Sequence, residues 1–155
     1  MQLSGKITIR AARPLCIAAV RQADTLAAFL PGDVTVTAKD ANSFDAEFRR
    51  EFGRIAVRLR GTLTIEEVEP GSLLRFVLQA RHLLTGSAQM DISMRFDGTA
   101  PTGLSYDGTL TGTGLAGRLL AERQDRVQAK LDAMFTGLKQ RIEAERRAAN
   151  QQAGA

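Results

Sequence analysis

The chain has 155 residues, 44% of them hydrophobic and 25% charged, a size and balance that fit one globular domain and exclude a disordered or fibrous class. One His and one Cys exclude a Cys/His zinc site, a disulfide framework and catalysis by paired histidines. Lys and Arg number 21 against 17 Asp and Glu, a net +4, but the two signs are interleaved, so the basicity is too diffuse for nucleic-acid binding.

No apolar run approaches the roughly 18–20 residues that cross a bilayer. The longest early one, Leu15 to Val20, lies between Arg13 and Arg21 and has no cleavage site after it, so neither a signal peptide nor a spanning helix is expected. A cytoplasmic protein is the expectation, with Cys16 a buried thiol in a reducing compartment.

Residues 2–10 alternate, with Leu3, Gly5, Ile7 and Ile9 on one face, the period of a half-buried strand. From Pro14 to Leu30 apolar residues recur every three or four positions, which predicts two short helices with Asp24 as N-cap of the second. Pro31-Gly32-Asp33 ends them. Period-two alternation then runs from Val34 to Gly112, broken at Ala41-Asn42-Ser43, Gly53, Glu69-Pro70-Gly71-Ser72, Gly86 and Asp97-Gly98, and predicts an antiparallel meander. Gly108 marks a bend or bulge in the last strand. Over 115–147 the period returns to that of a helix, with Ala116, Leu120, Val127, Leu131, Phe135, Leu138 and Ile142 in one stripe. The fold expected is α+β, a curved seven-stranded antiparallel sheet around a long C-terminal helix. It makes one domain over residues 1–147, with 148–155 a flexible tail.

Gly112-Thr113-Gly114-Leu115-Ala116-Gly117 reads as GxGxxG between strand and helix, but no parallel strand or ribose-binding acid follows it, as a dinucleotide site requires. Its glycines are expected to let the helix pack closely on the sheet. His82, Cys16 and Tyr106 lie on three separate elements and form no evident catalytic set, so no catalytic residue, metal ligand or cofactor is assigned.

Four stretches resemble a known family: Leu3-Ser4-Gly5-Lys6-Ile7-Thr8-Ile9, Leu26-Ala27-Ala28-Phe29-Leu30-Pro31-Gly32, Gly61-Thr62-Leu63-Thr64-Ile65-Glu66-Glu67-Val68, and Gly114-Leu115-Ala116-Gly117-Arg118-Leu119-Leu120. The family is CoxG, the accessory proteins of carbon monoxide dehydrogenase, within the SRPBCC or START-like superfamily and its helix-grip fold. The chain departs from it at Cys16-Ile17, where Val-Trp is common, and at Asp33, where Cys is frequent. The family also often has a longer C-terminal region linked to membrane attachment, so membrane contact is expected to be peripheral at most, at the inner face.

The resemblance implies a non-enzymatic accessory protein that binds a lipophilic small molecule, such as a quinone, between sheet and helix and serves a molybdenum hydroxylase of the carbon monoxide dehydrogenase type. The alternative is a polyketide cyclase or dehydratase-like enzyme using the same cavity. Strand phase assigns to that cavity Leu59, Phe76, Leu78, Met90, Ile92, Met94 and Tyr106. From the helix come Leu120, Gln124 and Val127, where Arg123 or Gln124 interrupts the apolar stripe.

Overall fold

Alternation of period two and period 3.6 along the chain becomes strands and helices in the expected order. The structure, a computed structural model, describes residues 1–29, 33–52, 54–82, 86–114, 117, 121 and 124–153. Strand β1 (Gln2–Ile9) leads through helices α1 (Arg13–Val20) and α2 (Ala23–Phe29) into β2 (Asp33–Asp40), β3 (Ser43–Phe52), β4 (Ile55–Glu69), β5 (Leu73–His82), β6 (Gly86–Asp97) and β7 (Thr102–Gly112), and helix α3 (Gln124–Ala153) follows. The strands form one antiparallel seven-stranded curved sheet in the order β1-β7-β6-β5-β4-β3-β2. Strands β2 to β7 are thus a plain meander, and β1 returns to close the far edge against β7.

Local chemistry sets the boundaries. Pro14 lies in the first turn of α1, where its missing N–H is not needed. Asp24 is not the N-cap expected of it: α2 begins at Ala23, so the carboxylate lies inside the first turn, where the positive end of the helix dipole still favours it. Between β4 and β5 the Ser72 amide donates to the Glu69 carbonyl at 3.1 Å. Gly71 takes φ +73° there, the left-handed third position of a type II turn.

Gly108 does not mark a bulge. The ladder runs through it without interruption, opposite Leu3 on one side and Ile92 on the other. The irregularities fall elsewhere, between Ala38 and Asp40 and between Glu67 and Glu69. The glycine is required by close approach instead: a Cβ there would run into the Asp91 carbonyl oxygen and stand 2.8 Å from the Ile92 Cα.

Helix α3 lays Leu131, Phe135, Leu138 and Ile142 into a core shared with Leu3, Ile65, Leu74, Phe76, Ile92, Met94, Phe96 and Leu104. Its described length corresponds to about 45 Å at 1.5 Å per residue. It continues past the expected end at 147 to Ala153, with residues 148–152 helical and exposed. The low helix-breaking content of Ala148-Ala149-Asn150-Gln151-Gln152 allows this without an apolar face. Of the predicted stretch 115–123, Gly117 and Ala121 are described and helical. A Cβ on Gly117 would come within 2.6 Å of the Gly112 carbonyl oxygen, which is the close helix–sheet packing expected of that glycine.

Gly108→Ala is expected to destabilise the protein by about 2 kcal/mol through this overpacking between β6 and β7. In a urea titration the midpoint should fall while the slope stays constant.

Candidate functional site

The inward face of the sheet is built of cross-strand rows, and their burial changes from one end to the other. Leu74, Met94 and Tyr106 form one row, continued by Gly5; Ile65, Phe76 and Ile92 form the next, continued by Gly108 and Leu3. The side chains of both rows are at most 4% exposed, apart from the glycines. One row further, Phe44 and Leu63 are still buried, but Leu78, Met90 and Leu110 are only half-buried. Beyond these lies a row of small residues, Ala46, Gly61, Ala80, Ala88 and Gly112, and then Phe48 opposite Leu59, both half-buried. Helix α3 repeats the gradient: Phe135 and Ile142 are fully buried, whereas Val127 is half-buried. One end of the grip is therefore a solid core. At the other, a trough of apolar side chains remains partly open.

The sequence-assigned residues divide along this line. Phe76, Ile92 and Met94 belong to the solid core, while Leu78, Met90 and Val127 line the open part and pack against that core. Leu59 stands apart, one residue beyond the last β4–β5 pair, Arg60 with Arg81. Leu120 and Arg123 lie outside the described residues, as do the side chains of Gln124 and His82. Cys16 is fully buried, and burial pushes its thiol above the usual range, the opposite of what a nucleophile needs.

Tyr106 is a clamp. Its ring stacks on Phe135 with centroids 3.9 Å apart and planes 5° from parallel. On the strand side it lies across Gly5, where any Cβ would approach the ring within about 2.5–2.6 Å. The hydroxyl donates to the Asp132 carboxylate at 3.0 Å and accepts from Gln128 Nε2 at 3.2 Å; Gln128 also donates to the Ser4 carbonyl at 3.1 Å. Sheet edge and helix are thereby tied through one phenol. Burial, and then the bond to Asp132, push the phenol up to about 12.

Leu110, Phe48 and the small-residue row share the inward phase of the assigned residues, and phase alone does not single them out as lining the trough. Asp132 and Gln128 lay outside the apolar stripe of the helix and were not assigned to the site. Gly5 was the available signal for the clamp, since a glycine at an inward strand position marks a close approach.

No protein-family model matches the chain, and no curated protein matches it in sequence. Solved structures match over nearly its whole length. A conserved protein from Geobacillus kaustophilus superposes with a TM-score of 0.71 at 10% identity, covering 92% of this chain and 95% of that one. A STAR-related lipid transfer protein from Xanthomonas axonopodis gives 0.61 at 12% identity, over 90% and 84%. The fold is the START-like helix grip. The di-domain ARO/CYC StfQ from the steffimycin biosynthetic pathway shares it, with a TM-score of 0.60 at 14% identity; 95% of this chain matches 51% of that one. At these identities the likeness is one of fold, and the helix grip here is completed by its own clamp. Among the described residues no helix is long and apolar enough to cross a membrane.

Tyr106→Phe is expected to cost about 1 kcal/mol below pH 10, the net worth of a hydrogen bond. The native phenol holds its proton up to about pH 12 and the unfolded one to about 10. Wild-type stability should thus be complete below pH 10 and decline as pH rises toward 12, while the variant lacks this decline. Urea midpoints on either side of pH 10 measure the difference.

Proposed function

We propose that this protein binds a lipophilic small molecule, of which a quinone is one example, in the trough between the sheet and the N-terminal half of α3, and that it does so without catalysing a reaction. The observation that carries this reading is the half-burial of Leu78, Met90, Leu110 and Val127 beside rows that are fully buried. Apolar side chains left partly in water cost roughly 25 cal/mol for each Å² they could have buried, and an apolar ligand removes that cost. Met90 suits the role, because its unbranched thioether adapts to ligand shape.

Of His82, Cys16 and Tyr106, two are committed elsewhere, the Cys16 thiol by burial and the Tyr106 hydroxyl by Asp132 and Gln128. That favours binding over the cyclase reading. The four stretches that resemble the CoxG family support an accessory role beside a molybdenum hydroxylase of the carbon monoxide dehydrogenase type. On this reading the protein is cytoplasmic, with any membrane contact peripheral at the inner face, and passes its ligand to or from that enzyme.

Gently purified protein should carry a neutral lipophilic compound detectable by mass spectrometry. Met90→Trp should abolish uptake of it while lowering the melting temperature by only a few degrees, since the new ring fills open space. An unfolded variant, or one that takes up ligand unchanged, would show that the trough is ordinary core. Turnover of an aromatic polyketide-like substrate, lost in His82→Ala, would move the protein to the cyclase class.

A further inference from the structure

Charges on the outer face of the sheet are paired toward the β4–β5 turn and crowded together at the other end of the same strands. Near the turn Arg75 meets Glu66 and Asp91, and Arg95 meets Glu69. At the far end the register sets like charges side by side: Arg49 of β3 stands opposite Arg58 of β4, and Arg60 of β4 stands opposite Arg81 of β5. All four are exposed, and Arg54 in the β3–β4 turn is exposed with them. Among the described side chains the acid that reaches this group is Glu47, 3.8 Å from Arg58. The side chains of Asp33 and Glu51, next to Arg49 in register and in phase, lie outside the described residues.

Like charges directly opposite each other destabilise a sheet. Packing does not require them here, since their neighbours Phe48, Leu59 and Ala80 are the residues that face inward. Beside Arg60, on the same outer face, an open groove of about 310 Å³ is lined by Thr35, Thr37, Asp45 and Glu47.

We propose that the arginine face and this groove dock an acidic, extended segment of a partner protein. Each guanidinium offers paired N–H donors to one carboxylate. Every second residue of an extended chain stands about 6.6 Å from the last, and Arg58 and Arg60 share that spacing along β4. A bilayer is too flat to enter the groove, and Asp45 and Glu47 repel a continuous phosphate surface, whether of lipid or of nucleic acid. A polypeptide meets both conditions, with acids over the arginines and uncharged side chains over the groove. Docking on the outer face does not depend on a ligand in the trough, so it goes beyond the binding function.

A fluorescein-labelled peptide alternating Glu and Thr tests this by fluorescence anisotropy, against a peptide of the same composition with its Glu in one block. Wild-type protein should bind the alternating peptide more tightly than the block peptide, and both more weakly as salt is raised. Arg58→Gln/Arg81→Gln takes one member from each like-charged pair and should weaken binding about 3- to 10-fold, the worth of two exposed charge contacts. Its melting temperature should stay the same or rise. Arg126→Gln/Lys130→Gln removes the same charge from exposed positions on α3 and should leave binding unchanged. Equal weakening in both variants, equal affinity for the two peptides, or no binding by the wild-type protein would overturn the docking face. An Arg58→Gln/Arg81→Gln variant that unfolds would overturn it too, by showing the arginines to be structural. So would binding of phosphatidylserine vesicles or duplex DNA in place of the peptide, lost in that variant, which would assign the arginines to a phosphate surface.

Discussion

The height at which α3 lies over the sheet is set by one aromatic stack, Phe135 on Tyr106. Ring centroids 3.9 Å apart leave no freedom at that point, and Tyr106 can lie flat there only because Gly5 opposite it has no side chain. Burial on helix and sheet falls away in the same direction from this contact. Toward Phe96, Leu104 and Ile142 the two layers meet completely; toward Leu78, Met90 and Val127 they do not. The trough is therefore a consequence of where the stack sits, and its floor of Ala and Gly keeps bulk out of the open end.

The two faces of the sheet divide the electrostatics as well. On the outer face Arg75 reaches both Asp91 and Glu66, and Lys39 reaches Asp45. Such exposed pairs add little stability, but they hold charge away from the inward rows. Between sheet and helix the inward rows are built of apolar side chains.

Much of the fold was legible because alternation along β3 to β7 is nearly unbroken and the α3 stripe matches the face it covers. What alternation cannot supply is depth. Met90 and Met94 have the same phase and the same chemistry, yet one is half-buried and the other 3% exposed, since burial depends on how far each row lies from the Tyr106 stack. Gly108 illustrates a related point: glycine in a strand serves equally for a bulge or for close contact, and the uninterrupted ladder together with the nearby Asp91 carbonyl decides between them.

The pairing of β1 with β7 sets the first strand against the last, Leu3 beside Gly108. On a ribosome adding residues one at a time, β2 to β7 can zip together in the order they are made, each hairpin closing a short loop. Strand β1 must wait as a single ribbon, because its partner residues 102–109 are translated long after it, and closing so long a loop is the slow entropic step of such topologies. Until it docks, Tyr106 has no Gly5 beneath its ring and α3 has no seat. Strand β1 is thus made before the partner it needs, and the apolar trough between sheet and helix takes shape only once β1 and β7 have paired.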